Sequence, residues 1–480
     1  MQRTTNLDLV EKFTETMARF TNSSLASAIA SVAGDAFVRG QSIGDGGTDP
    51  GTDPTTSANP RGIFTTPNLS GPLLSLESGY AVADQLPETA DHEIRVYFAP
   101  GSNTAIADGD SITTSSWNAS EIDAALSAFE QFETVANLEF IQVSNIENAD
   151  FVMIETRLPS TLLGYFSVGD SSITVGSDSV TVNGYGVFSN APGTGWTSDG
   201  LQPGGYGYLT LVHEIGHGLG LAHPHDILFD DTVMDGVSNS GDTGDFGLNQ
   251  GVYTAMTYND GWPDGTGVAQ LGGDYGFVGG LMALDIAVIQ DTYGANTTTG
   301  AGDTTYVIPD ANTRGTFYSS IWDTSGTDTI IYNGSRDTII DLREATLQYE
   351  EGGGGFVSYA NGIDGGFTIA NGVVIENATG GSGNDTLRGN DADNILTGNA
   401  GDDNLYGGGG ADTFAFNANI GDFGANTIHD FEDDIDVLEF TGLSPFSQQQ
   451  GNDVFFDFSG GSVLVLNATV SDFSDDLIVT

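Results

Sequence analysis

A repeat of nine residues runs without gaps from Gly380 to Ala415 and limits what this part of the chain can fold into. Each of its four blocks begins with glycine, has an aspartate or asparagine in sixth place and has leucine or phenylalanine in eighth place. The sixth residues are Asp385, Asn394, Asp403 and Asp412, and the eighth residues are Leu387, Leu396, Leu405 and Phe414. The fixed position of the apolar residue predicts an ordered stack in which the eighth side chains form a thin core.

The composition of the repeat predicts that calcium stabilises the stack. Glycine lets the turns expose backbone carbonyls, and aspartate supplies carboxylate oxygens, which are the ligands that calcium prefers. Without the cation, the stretch contains too few apolar groups to offset the entropy lost on ordering. A flexible Gly/Asp-rich linker is the alternative, and the regular apolar position argues against it.

A second motif begins at His213 and follows the pattern H-E-x-x-H-x-x-G-x-x-H. On a helix, His213 and His217 lie one turn apart on the same face, so both imidazoles can reach one metal ion. Gly220 can end that helix with left-handed backbone angles and return His223 to the metal. Pro224 then prevents the helix from resuming.

The residues of this motif match the needs of a catalytic zinc site. Three neutral imidazoles leave one zinc position for water, and Glu214 is the candidate general base for that water. A helix with histidines on a buried face is the alternative, but four of the six histidines in the chain fall between positions 213 and 225. His225 is interpreted as an additional surface histidine, because three ligands already complete the set.

The motif resembles the signature of the metzincin metalloproteases, in which a Met-turn follows the zinc-binding histidines. The segment from Tyr253 to Tyr258 resembles that turn. The resemblance implies that Met256 forms an apolar floor beneath the zinc and that Tyr258 stabilises the tetrahedral intermediate. Pro224, directly after the third histidine, favours the serralysin branch of the metzincins.

The nine-residue repeat resembles that of RTX proteins, which form a parallel β-roll around calcium. The resemblance implies several Ca²⁺ ions held by residues in the second, fourth and sixth places: Gly381, Gly383, Asp385, Asn390, Ala392, Asn394, Asn399, Gly401, Asp403, Gly408, Gly410 and Asp412. RTX proteins are exported by type I secretion from a C-terminal signal, and the residues from Asp475 to Thr480 resemble that signal. The chain is therefore expected to be secreted and to act outside the cell.

Charge and composition exclude several other functions. The formal net charge is −55, with 66 acidic and 11 basic residues, so nucleic acids and anionic membrane surfaces are poor partners. The chain has no apolar stretch long enough to cross a membrane and no N-terminal signal peptide with a hydrophobic core. It contains no cysteine, so calcium is the available substitute for disulfide bonds.

The chain is predicted to contain three parts. Residues 1–60 read as an amphipathic helix and a Gly/Asp/Thr/Pro linker, which resemble a short serralysin propeptide; a docking helix that is not cleaved is the alternative. Residues 61–295 are the expected metzincin-like catalytic domain, and residues 296–480 are the expected RTX domain. The loop at 226–247 looks longer than is usual for the family.

Several elements are expected around the zinc motif. Ile94 to Phe98 alternates like a strand, and Ser120 or Asn118 can cap a helix that runs to about Ala136 and leads into another strand. The stretch 184–190 reads as an edge strand, either ordinary or pairing with an extended peptide substrate. Residues 282–290 predict a helix that ends before Tyr293.

The first strands of the C-terminal domain are expected near residues 321–328 and 339–343. Asp323 and Asp328 are candidate calcium ligands there. Gly300 stands where serralysins commonly have an arginine, which is a departure from the family pattern at this calcium site.

The predicted fold is an α+β metzincin-like zinc protease domain followed by an all-β, calcium-binding parallel β-roll. The predicted function is a secreted, monomeric zinc endopeptidase, made as a zymogen, that hydrolyses extended polypeptides outside the cell. In this interpretation one Zn²⁺ is catalytic and several Ca²⁺ ions are structural. The alternative is a calcium-binding RTX surface or adhesion protein with an inactive protease-like domain. The intact Glu214 favours the enzyme.

Overall fold

The computed structural model describes residues 69–78, 92–159, 162–226, 232–263, 274–417, 421, 423–442, 446–458, 460–473 and 476–479. The predicted N-terminal helix and linker lie outside these residues. The chain divides into two compact units. The first takes in the described parts of Met1–Gln202, Tyr206–Asp260 and Leu284–Asn296, and the second those of Pro203–Gly205, Gly261–Ala283 and Thr297–Thr480. No helix in the described ranges is long and apolar enough to cross a membrane.

The first unit contains a seven-stranded mixed sheet. Its strands are β1 His92–Phe98, β2 Thr104–Ala107, β3 Asp110–Thr113, β4 Leu138–Gln142, β5 Phe151–Thr156, β6 Gly164–Val175 and β7 Asp178–Ser189. They lie in the order β3, β2, β6, β7, β5, β1, β4. The strands β4, β1, β5 and β7 are parallel, whereas β6 is antiparallel to β7. The expected strands at 94–98 and after Ala136 are both present.

The described residues of the chain contain three α-helices, α1 Ala119–Val135, α2 Tyr206–Gly218 and α3 Ala283–Tyr293. Asn118 caps α1, because its side chain accepts hydrogen bonds from the backbone N–H groups of Ser120 and Glu121 at 2.9 and 3.2 Å. The Glu121 carboxylate accepts from the Asn118 N–H at 2.6 Å, which completes a capping box. Of the two predicted capping residues, Asn118 is the one used.

One predicted helix boundary and one predicted strand position differ from the structure. Helix α3 continues through Tyr293, three residues beyond the predicted end at 290, because Gly294 supplies the left-handed angle (φ +79°) that stops it. The expected edge strand at 184–190 is wrong. Residues 184–189 belong to β7, which is bonded to β5 on one side and to β6 on the other.

Apolar side chains cover both faces of the first sheet. One face carries a buried cluster that includes Val152, Ile154, Ile173 and Val187. The other face packs against α2, where the Phe166 ring lies against Gly218 and meets Phe151 edge to face at 4.9 Å. All six residues of β5 are buried, as expected for a central strand covered on both sides. This packing fixes α2 over the sheet.

The second unit is rich in short, mostly parallel strands. They are β8 Thr305–Val307, β9 Tyr318–Ile321, β10 Thr329–Ile331, β11 Thr338–Asp341, β12 Ser358–Ala360, β13 Gly366–Ile369, β14 Asn377–Thr379, β15 Thr386–Arg388, β16 Ile395–Thr397, β17 Asn404–Tyr406, β18 Thr413–Asn417, β19 Ala425–Ile428, β20 Val437–Thr441, β21 Ser447–Gln450, β22 Asp453–Phe458, β23 Gly461–Val465 and β24 Leu477–Val479. The β-rich, parallel character predicted for the C-terminal part is confirmed.

Successive nine-residue blocks alternate between two sheets. A seven-stranded sheet has the order β24, β20, β18, β16, β14, β10, β8, and a ten-stranded sheet has the order β21, β22, β23, β19, β17, β15, β11, β12, β13, β9. Strands two blocks apart are therefore parallel neighbours, as β15 and β17 are. The eighth residues of the blocks, Leu387, Leu396, Leu405 and Phe414, are all completely buried. They form the thin core predicted from the repeat.

Candidate metal centre

Helix α2 carries the first half of the zinc motif and ends where the sequence predicts. The backbone N–H of Leu221 donates to the Gly216 carbonyl at 2.9 Å, and that of Gly220 donates to the His217 carbonyl at 3.0 Å. Gly220 adopts φ +101°, which side chains with a Cβ rarely adopt. These bonds form a Schellman motif, which ends the helix and reverses the chain.

The segment after the turn is held by a neighbouring stretch of backbone. The Ser78 N–H donates to the Gly220 carbonyl at 3.0 Å, and the Ala222 N–H donates to the Leu76 carbonyl at 2.9 Å. This bridge holds the chain on either side of Leu221 and delivers His223 to a fully buried position.

The three motif histidines converge on one point. The Nε2 atoms of His213 and His223 lie 3.0 Å apart, those of His217 and His223 lie 3.1 Å apart, and those of His213 and His217 lie 3.2 Å apart. In tetrahedral zinc sites the bonds are about 2.0–2.1 Å long, so ligand nitrogens lie about 3.3 Å from one another. The triangle of nitrogens therefore has nearly the size of one face of a zinc tetrahedron.

Hydrogen bonds on the far side of each ring fix which nitrogen carries the proton. His213 Nδ1 donates to the Ala255 carbonyl and His217 Nδ1 donates to the Leu221 carbonyl, each at 2.8 Å. A carbonyl only accepts, so these Nδ1 atoms hold protons and the Nε2 atoms present lone pairs. Burial, followed by the neighbouring His217 and His223, lowers the pKa of His213 well below its ordinary value. Neutral imidazoles with converging lone pairs are the donor set of a zinc site.

Glu214 lies beside the triangle in a position shaped by a glycine. Its side chain is fully buried. A Cβ placed on Gly164, the first residue of β6, would lie 3.0 Å from Glu214 Cγ and 3.2 Å from its Oε1 atom. The absence of a side chain at Gly164 thus leaves room for the carboxylate between α2 and the start of β6.

Met256, the residue of the predicted Met-turn, packs against helix α2. Its side chain is fully buried, and a Cβ on Gly216 would lie 2.9 Å from the Met256 sulfur. Asp285 on α3 anchors this turn, because its two carboxylate oxygens accept from Thr254 Oγ1 at 2.6 Å and from the Ala255 N–H at 2.7 Å. The carbonyl oxygen of the same residue, Ala255, accepts a hydrogen bond from His213 Nδ1. Helix α3 is thereby connected to the histidine triangle.

Tyr258 lies next to the histidines, with its ring centroid 4.8 Å from that of His223 and 6.0 Å from that of His213. The prediction that His225 is a surface residue is wrong. Its ring is half-buried, stacks on His223 at 4.9 Å and lies 4.7 Å from Tyr258. The turn that returns His223 to the centre carries His225 inward as well. The prediction considered only the number of zinc ligands and not the path of the chain.

The sixth residues of the repeat blocks are buried and bonded across the stack. Asp385, Asn394, Asp403 and Asp412 are each at most 2% exposed. The N–H of Asp385 donates to Asp403 Oδ1 at 2.8 Å, two blocks away, and that of Asn394 donates to Asp412 Oδ1 at 2.9 Å. Burial raises the pKa of Asp385 to about 6 and the pKa values of Asp403 and Asp412 to about 7.

Backbone carbonyls from the repeat lie close to the glycines two blocks further on. A Cβ on Gly401 would lie 1.9 Å from the Gly383 carbonyl oxygen, and one on Gly410 would lie 2.5 Å from that of Ala392. The buried Asp403 Oδ2 atom accepts no hydrogen bond from the residues that the structure describes. An unsatisfied buried carboxylate oxygen and closely stacked carbonyls are an environment that suits a hard cation.

Asp323 and Asp328 are also buried, at 5% and 1% exposure. Asp323 accepts from the Tyr306 hydroxyl at 2.6 Å, and Asp328 accepts from the Thr304 N–H at 2.7 Å. Gly300, the departure from the family pattern, packs directly against the Asp323 carboxylate. The structure therefore brings the three positions into one neighbourhood of the second unit.

Sequence reasoning missed Asp226, which contacts His223. Its Oδ2 atom lies 2.6 Å from His223 Nδ1. Asp226 follows His223 by three residues, which is the separation of residues joined by a tight turn. This separation is the sequence signal that could have indicated the contact. Asp285 was also missed, and it lies too far along the chain for a local pattern to indicate its contact.

Residues 284–478 match the family model described as Peptidase M10 serralysin C terminal. The chain is also similar to serralysin from Photorhabdus laumondii, at 33% identity over 58% of this chain and 55% of that protein. Metallopeptidase AprA from Pseudomonas marginalis is 36% identical over 47% of this chain and 49% of that protein. The chain spans about half the length of the relatives it matches. These matches confirm the resemblance to serralysins that the two motifs indicate.

One solved structure, that of the extracellular lipase LipA from Serratia marcescens, aligns over 38% of each chain at 18% identity. Its TM-score is 0.20, so it carries no argument about fold or function.

Proposed function

We propose that the chain is a secreted zinc endopeptidase of the serralysin type, with a metzincin-like catalytic domain at 61–295 and a calcium-binding RTX domain at 296–480. The observation that carries this proposal is the triangle of Nε2 atoms, whose lone pairs are turned inward by the Nδ1 hydrogen bonds. In this proposal His213, His217 and His223 hold one zinc ion. Zinc in such a site supplies a Lewis acid and lowers the pKa of a water molecule to about 7.

Glu214 then acts first as a base and afterwards as an acid. Its carboxylate accepts a proton from the attacking water and delivers that proton to the nitrogen of the leaving amine. The Tyr258 hydroxyl donates a hydrogen bond to the carbonyl oxygen of the substrate as negative charge develops there. Glu214 is fully buried and directly follows the proposed ligand His213 in the chain, so its carboxylate is held beside the site rather than in bulk solvent.

The outer edge of β6 is the proposed binding surface for an extended peptide. Strand β2 pairs with β6 only along Ile173–Val175, so within the described ranges no strand pairs with the outer edge from Gly164 to Asp170. An added peptide strand can use those free backbone groups. This edge begins at Gly164, next to Glu214, so a peptide bound there passes the proposed base.

Calcium has a structural role in this proposal. The sixth-place carboxylates and the stacked carbonyls of the repeat hold several Ca²⁺ ions, which offset the cost of burying acids with raised pKa values. The requirement for calcium, the extracellular site of action, export by type I secretion, the zymogen form and the monomeric state all follow from the serralysin interpretation.

Casein hydrolysis by the full chain in calcium and zinc buffer tests the proposal. We expect activity that phenanthroline abolishes and that added zinc restores. A truncated form that begins after Pro60 is assayed beside the full chain, because the N-terminal segment is proposed to be inhibitory. If zinc-loaded protein cleaves nothing in either form, the calcium-binding surface protein with an inactive protease-like domain is the better interpretation.

A further inference from the structure

The third histidine differs from the other two in the partner of its Nδ1 atom. His213 and His217 each donate to a neutral backbone carbonyl. His223 instead pairs with the Asp226 carboxylate at 2.6 Å, and the two side chains are 0% and 11% exposed. We propose that Asp226 is a positioning residue that fixes the ring and the tautomer of His223 and strengthens its bond to zinc. This inference rests on the proposed zinc site.

His223 needs such a partner because it does not lie on α2. The helix holds the other two histidines one turn apart, whereas the third follows the Schellman turn. The backbone N–H of Asp226 donates to the His223 carbonyl at 3.1 Å, so the two residues close a tight turn. Pro224 stiffens that turn by fixing its own φ angle. The carboxylate thus reaches back across a short, rigid segment to the ring that it orients.

A carboxylate affects the ligand more strongly than a carbonyl does. Hydrogen bonds to an ionised acceptor are shorter and about twice as strong as neutral ones. The charge also increases the electron density at Nε2, and loss of such a partner commonly reduces metal affinity about 10- to 100-fold. We therefore expect Asp226→Ala to weaken zinc binding by that factor. Asp226→Asn, which retains an acceptor oxygen without the charge, is expected to show an intermediate loss.

Two matched variants separate positioning from general effects. His225→Ala removes a ring from the same turn, which tests whether any disturbance of the turn weakens zinc binding. Asp242→Asn removes one negative charge from the exposed loop that follows, where Asp242 accepts from Ser238. It tests whether a change in net charge alone accounts for the effect. Both variants are expected to bind zinc within about two-fold of the wild type.

The experiment measures the zinc dissociation constant of the full chain by competition with a chromophoric chelator, in calcium buffer. Ring ¹⁵N chemical shifts of the zinc-free protein report the tautomer of His223. We expect the Nδ1–H form in the wild type and a mixture of tautomers in Asp226→Ala. Circular dichroism establishes that each variant is folded. If Asp226→Ala misfolds, Asp226→Asn provides the same test.

An unchanged dissociation constant and an unchanged tautomer in either folded Asp226 variant would overturn the inference. An equal loss of affinity in His225→Ala or Asp242→Asn would do the same. Failure of the proposed function is recognised separately, as zinc-loaded wild type that binds the metal tightly but cleaves no peptide. Wild type that does not bind zinc would overturn both.

Discussion

The core of the repeat domain allows a quantitative test. Leu405 lies at the centre of β17 with no exposed surface, in register with Leu387 on β15 and Ile428 on β19. Truncating a fully buried leucine to alanine costs about 2–5 kcal/mol, because the apolar transfer energy is lost and a cavity remains. We expect about 3 kcal/mol for Leu405→Ala. Its neighbours come from parallel strands with little freedom to close the cavity.

Ile395→Ala is the matched control, since Ile395 belongs to the preceding block and is 48% exposed. Surface substitutions usually change the free energy of unfolding by about 0.5 kcal/mol or less. Urea unfolding at saturating calcium, monitored by far-UV circular dichroism, gives the free energy of unfolding of the second unit in the wild type and in each variant. Equal losses, or a larger loss for Ile395→Ala, would refute the assignment of the eighth residues to the core.

Three further predictions concern the first unit. Gly220→Ala places a Cβ on a residue with φ +101°, so it is expected to destabilise the first unit by about 1–3 kcal/mol and to weaken zinc binding. Thermal melting measures the stability and chelator competition measures the zinc affinity. Unchanged stability and affinity would contradict the role of the turn. Gly164→Ala is expected to displace Glu214 and lower kcat about ten-fold with zinc affinity retained, and full activity would contradict the contact at 3.0 Å. Burial raises the pKa of Glu155 from 4.5 to about 7, so the stability that its proton provides is complete below about pH 4.5 and is lost as the pH rises through 7. At pH 8, Glu155→Gln should therefore be more stable than the wild type by up to about 3 kcal/mol and melt at a higher temperature, whereas at pH 4.5 the two proteins should melt at nearly the same temperature. Equal melting temperatures of the two proteins at both pH values would refute this prediction.

The parts of the fold that depend on short-range chemistry are predicted well from the sequence. Asn118 and Glu121 lie three residues apart and form their capping box without help from the rest of the chain. The Schellman turn depends on Gly220, and it determines where His223 points. In the second unit, the nine-residue period alone predicts which side chains are buried.

The position of a strand within a sheet depends on distant contacts, and there the sequence is less informative. The glycine-rich stretch at 184–190 alternates like a strand whether it lies at an edge or in the interior. It becomes interior because β5 and β6 pair with its two sides, and neither pairing is visible from local residues. The buried Asp285 is a similar case, because only the folded structure brings it to the Met-turn.

The second unit shows the same limit beyond the repeat. The strands from β19 onward do not follow the nine-residue period, and β21 to β23 pair antiparallel at the end of the ten-stranded sheet. Without a fixed period, alternation of apolar residues indicates strands there but does not indicate their neighbours. The sheet order therefore comes from the structure.

The most direct test of the central claim is the turnover of a quenched fluorescent peptide by Glu214→Gln and by the wild type at equal zinc content. Glu155→Gln, which alters a buried glutamate elsewhere in the unit, is the control and is expected to retain wild-type turnover. If Glu214 is the base at a three-histidine zinc centre, its variant should bind zinc normally and lose about 100- to 10,000-fold in kcat. A zinc-loaded Glu214→Gln protein with wild-type turnover would contradict the account.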